Sequence, residues 1–412
     1  NPLAKGMRYG LVARKIEYYL IIIMNMNLKK VGCIPLRKGS VSIKNKNKRK
    51  MVGRPLFSWV LNEAIFSNLD EIVVFTDDQE IISFVKKQYH WTNKVKAILR
   101  SDDNANDTAS TESALLEFCE KIDYDFEILC LLQATSPLTT SFDINKSLDK
   151  VLNNEHDAAL TVVNTHRFIW TEKGESLNYD IFNRPRRQDF EGLLVENGAV
   201  YVTNKNAFLD SKNRVSGSIG LVKMPEETLY EIDNETDWLI IENLLINRLK
   251  EQKETQKITH LVLDVDGVFT NGTVLFSKEG ELAKQFDMRD GMGLEIIREL
   301  GVEVVVMTSE ESELVKQRMK KLNIKEAFFG VKDKYGLLQH LISEKRIDLS
   351  NIAYIGDDVN DLANMCSVGW SLAPKNAISI VKQNADIVLS TESLKGAIRE
   401  ACNFILNYNK RF

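Results

Sequence analysis

Short apolar runs recur along the first half of the chain, each followed by a segment whose apolar residues fall at helical spacing. The pattern predicts strands at Lys30–Pro35, Glu71–Thr76 and Glu127–Leu132, and helices at Pro55–Phe66, Gln79–Gln88 and Ser110–Lys121. Strands and helices in alternation imply a doubly wound α/β sheet. A further helical pattern, Trp238–Leu249, runs into the polar stretch 251–257, after which apolar runs resume at Thr259–Val265, Val304–Thr308 and Asn351–Ile355. The polar stretch reads as a linker between two α/β domains, 28–250 and 258–412. Residues 1–27 read as an artefactual or disordered extension. Their apolar run Leu20–Met24 is too short to span a bilayer and lacks a small-residue cleavage site.

Composition narrows the function classes. The 412 residues are 44% hydrophobic and 27% charged, ordinary globular material with room for two or three domains. A formal net charge of -4 argues against a general nucleic-acid binder. Five cysteines lack paired spacing, which suits buried thiols in a reducing compartment, with the bacterial cytosol preferred. Five histidines form no ligand cluster, so zinc has no support. From the net charge and the shortness of the apolar run, no nucleic-acid or membrane partner is expected.

The strongest chemistry lies in the second half. Leu263-Asp264-Val265-Asp266-Gly267 and Gly356-Asp357-Asp358-Val359-Asn360-Asp361 each follow an apolar run, which puts both carboxylate clusters at the carboxyl ends of parallel strands. A carboxylate attacks a phosphate monoester only if a metal offsets the repulsion of two anions, and Mg²⁺ favours oxygen ligands. Asp264 is the expected nucleophile, with Asp266 as acid and then base. Asp264, Asp266, Asp357 and Asp361 are the expected magnesium set. Thr308 ends a buried strand with a hydroxyl for a phosphoryl oxygen, and Lys334 supplies a cation. In this order the pieces resemble the haloacid dehalogenase superfamily of phosphatases.

In the first half, Pro35–Asn47 is a cation-rich loop containing Gly39 and Ser40, suited to a triphosphate although it is not a Walker loop. Taken alone, the basic run Lys44–Lys50 also fits a targeting or nucleic-acid patch. Seven ordered motifs favour another reading: Gly39-Ser40 with Lys46-Asn47, Gly53-Arg54-Pro55-Leu56, Thr76-Asp77-Asp78, Asp107-Thr108-Ala109-Ser110, Leu132–Leu138, Arg187-Gln188-Asp189 and Glu196–Tyr201. Together they resemble the acylneuraminate cytidylyltransferases over residues 28–248. The resemblance implies attack by a 2-keto-3-deoxy sugar acid on the α-phosphate of CTP. It implies that Arg37, Ser40, Lys46 and Asn47 hold the nucleotide, with Arg100 and Ser110 adding contacts. It places Gln133, Arg187 and Tyr201 at the sugar acid, with Arg187 on its buried carboxylate, and Asp233 at Mg²⁺. Lys38, Val41 and Ser42 depart from the family's Gly-Gly-Ser-Lys-Gly core, and Glu231 stands where a second metal-binding Asp is usual.

Gly272–Phe286 reads as a β-hairpin in place of a large cap, followed by the Arg289-containing run Phe286–Gly293. Residues 258–400 thereby resemble the small capless phosphatases of 3-deoxy-ulosonate phosphates, which form tetramers. That resemblance implies substrate contacts from Arg289, Glu310 and Lys321, with a Glu310–Lys321 pair at the pocket mouth favouring KDN 9-phosphate over KDO 8-phosphate. The expected protein is a bifunctional homotetramer: an N-terminal nucleotidyltransferase sheet using CTP, and a C-terminal Rossmannoid phosphatase, each with Mg²⁺. Three alternatives stay open: a phosphatase half serving only as an oligomerisation module, a transferase half that binds sugar nucleotide without catalysis, and another ulosonic acid such as KDO as the sugar.

Overall fold

The computed structural model describes residues 28–39, 42–106, 108–153 and 155–412. The expectations for the 1–27 extension, and those for Ser40, Val41 and Asp107, lie outside the described residues. The chain divides into two compact units, one of residues 1–48 and 59–241, the other of 49–58 and 242–412.

The first unit contains a seven-stranded sheet of β1 (Lys30–Leu36), β2 (Glu71–Thr76), β3 (Val95–Leu99), β4 (Ile128–Leu132), β5 (Ala158–Thr165), β6 (Leu193–Asn204) and β7 (Ile219–Met224), in the order β3-β2-β1-β4-β6-β5-β7. β1 pairs in parallel with β2 and β4, whereas β6 runs antiparallel to both β4 and β5. The first four strands are thus the parallel core, with the helices Gln79–Gln88 and Thr111–Lys121 among their connections. Ser110 is not the first residue of its helix but its cap, accepting a hydrogen bond from the Ser113 N–H. Val31, Cys33, Val73, Phe75, Leu129 and Leu131 come together in the core beside the sheet because alternate residues of neighbouring strands share a face.

The second unit is built on a six-stranded, wholly parallel sheet. Its strands are β8 (His260–Leu263), β11 (Glu303–Met307), β12 (Glu326–Phe328), β13 (Ile352–Ile355), β14 (Trp370–Ala373) and β15 (Ile387–Val388), in the order β12-β11-β8-β13-β14-β15. Strand β8 is central, buried and apolar, as a parallel strand covered on both faces must be. Leu263 lies opposite both Val306 and Ile355, so β8, β11 and β13 end nearly level. A separate antiparallel hairpin, β9 (Leu275–Ser277) and β10 (Gly280–Ala283), lies within Gly272–Phe286, where the sequence reads as a hairpin in place of a large cap. Its Leu275, Phe276 and Leu282 are 61%, 70% and 64% exposed. Both units are α/β.

Candidate functional site

Level strand ends set the geometry of the second unit's site. The Asp264 N–H donates to Ile355 O at 3.1 Å, fixing Asp264 to the next strand just as β8 stops. The Thr308 N–H similarly donates to Phe328 O at 3.0 Å, and Thr308 is buried beyond β11. Asp357 follows β13 after Gly356, a position at which a Cβ would strike the Asp361 side chain at 2.4 Å. Gly267, at φ +93°, makes the turn after Asp266 and brings its backbone against the Asp357 carboxylate.

Around these turns Asp264, Asp357 and Asp361 each bring one carboxylate oxygen within 4.8 Å of the others. Lys334, whose side chain is 0% exposed, places its ammonium 2.7 Å from Asp264 Oδ2 and 2.7 Å from Asp361 Oδ1. Asp361 is further held by the Tyr354 hydroxyl at 2.8 Å and the Asp357 N–H at 3.2 Å. Asp333 caps the helix Lys334–Lys345 by accepting from the Gly336 N–H, and its other oxygen pairs with buried Arg54 at 2.7 Å.

Three carboxylates thus gather beside one ammonium, which pairs with Asp264 and Asp361 only. Burial pushes the Asp264 carboxyl up to about 7, Lys334 opposing and Asp361 adding to the rise. Burial likewise pushes Asp357 up to about 8, with repulsion from Asp361 and Asp264 behind it. Burial works against the Lys334 ammonium, but Asp264 and Asp361 hold its pKa above the ordinary value. Asp357 Oδ1 is buried with no hydrogen-bond partner. A divalent cation fits this cluster, because it would offset the unbalanced negative charge and occupy the open lone pair.

Two expectations for this site meet a different arrangement. The Asp266 carboxylate lies outside the cluster of Asp264, Asp357 and Asp361. Two residues beyond Asp264 the chain has turned, and Asp266 Oδ1 is taken by Lys284 at 2.7 Å and contacted by Thr270 Oγ1 at 3.4 Å. Nor does Glu310 pair with Lys321: its carboxylate meets Lys332 at 2.9 Å. The reason is helix geometry. Lys321 closes the helix Glu313–Lys321, about 12 Å of helical rise from the end nearer Glu310. Arg289 lies on the exposed side of its helix, paired with Asp287 at 2.6 Å. Lys284 was not anticipated, since a lysine in a short hairpin carries no local signal of what it will face.

In the first unit, Asn47 Nδ2 donates to Arg37 O at 3.1 Å, tying the two ends of the loop after β1 together. Lys46 donates to Ile232 O at 2.9 Å; burial lowers its pKa against the pull of Asp233. Burial raises Glu231, Asp233 adding to the shift. Lys46, Glu231 and Asp233 are therefore neighbours, although no three-acid metal cluster forms there among the described residues. Arg100 is buried and donates to Asn104 O, its pKa lowered by burial. Gln133 is half-buried, its N–H donating to Ala199 O at 3.2 Å.

Tyr201 donates to Glu196 at 3.1 Å beneath the Arg214 guanidinium, and burial, then Glu196, pushes its phenol up to about 12. Arg187, expected at the carboxylate of the sugar acid, has a side chain 76% exposed and 3.9 Å from Glu226. The short 3₁₀ turn Arg187–Asp189 has no buried residue to draw it inward.

Residues 31–259 match the cytidylyltransferase family model, and residues 330–400 match that of the haloacid dehalogenase-like hydrolases. The chain belongs to the cytidylyltransferase family and carries a haloacid dehalogenase-like phosphatase region related to the 3-deoxy-D-manno-octulosonate 8-phosphate phosphatases. It is 30% identical to an N-acylneuraminate cytidylyltransferase of Oncorhynchus mykiss, over 91% of this chain and 88% of that protein. It is 28% identical to N-acylneuraminate cytidylyltransferase B of Danio rerio, over 93% and 91% of the two chains. The 3-deoxy-D-manno-octulosonate 8-phosphate phosphatase of Haemophilus influenzae is 35% identical over 38% of this chain and 86% of its own length. Among the described residues no helix is long and apolar enough to cross a membrane.

Proposed function

We propose that the protein is bifunctional: residues 258–412 remove the phosphate from a nine-carbon sugar-acid 9-phosphate, and residues 28–250 transfer CMP from CTP to the freed 2-keto-3-deoxy sugar, KDN or an N-acylneuraminate. The observation that carries the phosphatase reading is the buried Lys334 ammonium 2.7 Å from both Asp264 and Asp361, beside an Asp357 oxygen with no partner. Asp264 and Asp357 retain the open lone pairs for Mg²⁺, which, when bound, neutralises phosphate charge. Asp361, already holding Lys334, Tyr354 and the Asp357 N–H, orients the ammonium.

Asp264 attacks phosphorus, forming a P–O bond as the bond to the sugar oxygen breaks. Asp266 gives that oxygen a proton. Water then attacks the same phosphorus, surrenders its proton to Asp266 and releases Asp264. Thr308, at the end of β11, and Lys334 bind phosphoryl oxygens through the sequence.

For the transferase, support comes from the family match and from relatives aligned over nine-tenths of the chain. In this reading Arg37, Lys46 and Asn47 cradle CTP, with Ser40 and Arg100 beside them, and Glu231 with Asp233 holds a second Mg²⁺. Gln133 and Tyr201 lie toward the sugar acid, and exposed Arg187 closes over it on binding. The apolar hairpin residues Leu275, Phe276 and Leu282 support a homotetramer joined through the phosphatase.

A second reading of the sugar, KDO 8-phosphate, is favoured by the 35% identity to the Haemophilus protein. A phosphate-release screen over KDN 9-phosphate, N-acetylneuraminate 9-phosphate and KDO 8-phosphate decides between them. Run with CTP, the same samples report CMP-sugar. Asp264→Asn should abolish phosphate release and leave CMP transfer intact; near-wild-type phosphate turnover in that variant overturns the assignment.

A further inference from the structure

The Lys284 side chain is 1% exposed, yet Lys284 belongs to neither half of the acidic cluster and lies just beyond the hairpin strand β10. Its ammonium is 2.7 Å from Asp266 Oδ1 and 3.6 Å from Glu281, whose carboxylate in turn accepts from the Ser312 hydroxyl. A buried lysine needs a carboxylate partner, and here it has one strong contact and one weaker. The consequence for Asp266 is asymmetric. Oδ1 is occupied by Lys284, with Thr270 at the edge of hydrogen-bond range, whereas Oδ2 is buried and has no partner at all.

We propose that Lys284 is a positioning residue for the phosphatase reaction, pinning one oxygen of Asp266 so that the other is presented to the leaving oxygen and to the attacking water. The inference rests on the phosphatase reading above. It accounts for the hairpin's attachment as well: Lys284 and Glu281 fasten β9 and β10 to the turn after β8 and, through Ser312, to the start of the helix Glu313–Lys321. A proton-transferring carboxylate free to rotate would lose reactive geometry at each turnover, and such groups contribute factors of about 10²–10⁴ when held in place.

The test uses the full chain with Mg²⁺, comparing wild type, Lys284→Met, Lys284→Arg, Asp266→Asn and the double variant Asp266→Asn/Lys284→Met. Substrates are KDN 9-phosphate, whose alcohol leaving group needs a proton, and p-nitrophenyl phosphate, whose leaving group needs it far less. Lys284→Met should lower kcat on the sugar phosphate by about tenfold or more with KM changed by less than about twofold, and lose much less on the aryl ester. Lys284→Arg should recover part of the loss, and the double variant should be no slower than Asp266→Asn alone.

Unchanged kcat in Lys284→Met overturns the proposal, as does a rise in KM alone or a further loss in the double variant. Equal losses on both substrates would do the same. If Lys284→Met does not fold, a Lys284→Arg variant with a wild-type melt and a smaller loss that falls mainly on the sugar phosphate supports the proposal, and one with equal losses on both substrates overturns it. Wild-type turnover in Asp266→Asn overturns the acid–base role of Asp266 on which the proposal rests, whereas no phosphate release from the wild type on either substrate overturns the phosphatase reading itself.

Discussion

Gly267 lies so close to Asp357 that a Cβ on it would sit 1.8 Å from the Asp357 Oδ2 atom. Backbone at φ +93° permits that approach, and an L side chain there would be strained by about 1–2 kcal/mol before the collision is counted. Gly267→Ala should therefore displace Asp357 and cut phosphate release by at least about a hundredfold, with CMP transfer unchanged. Parallel assays on one preparation check it; comparable losses in both activities would mean general misfolding.

Crowded carboxylates predict a metal effect on stability. EDTA should stop phosphate release and Mg²⁺ restore it, and the melting temperature of the wild type should rise with Mg²⁺. Asp357→Asn removes a group that burial pushes up to about 8, so without metal the variant should melt higher than the wild type. It should also lose the Mg²⁺-dependent rise. Differential scanning calorimetry with and without EDTA reads both outcomes.

Asp290 makes a pH prediction in a part of the unit outside that cluster. It is buried, accepts the Arg399 N–H at 2.9 Å, and burial pushes it from 3.8 up to about 6. Between those values the folded chain holds a proton that the unfolded chain has released, so stability falls as pH rises from about 4 to 6. Asparagine keeps the accepting oxygen without the charge. Asp290→Asn should gain on the wild type across this window, by up to about 3 kcal/mol above pH 6, measured by urea melts at several pH values. A pH-independent difference refutes it.

Glu310 tests sugar choice. Its contact with Lys332 becomes a repulsion in Glu310→Arg, which should lower kcat/KM for KDN 9-phosphate by about tenfold, or 1.4 kcal/mol, with a smaller effect on KDO 8-phosphate. Equal losses on both substrates would make the residue structural.

The parts legible in the sequence were those governed by local rules. Apolar runs marked β1, β2, β4, β8, β11 and β13, and the carboxylates after β8 and β13 converge because parallel strands in register end together. Partner choice was less legible. Asp266 meets Lys284 from beyond a hairpin, and Glu310, in the loop after β11, meets Lys332, in the loop after β12, in place of Lys321; neither pairing has a periodic signature. The reversed strand β6 also escaped, since parallel and antiparallel strands have similar composition once buried. The exposure of Arg187 was not legible either, since an isolated 3₁₀ turn supplies no apolar residues to anchor it.

All five thiols are buried, Cys33, Cys119 and Cys130 in the first unit and Cys366 and Cys402 in the second. Burial pushes Cys366 up to about 11 and Cys119 and Cys402 up to about 12, so thiolate is scarce as well as shielded. An alkylating reagent must therefore wait for the chain to open. Nature has fitted each unit with its own silent reporter, and mass spectrometry of slowly labelled protein would record which half breathes first, without a single engineered probe.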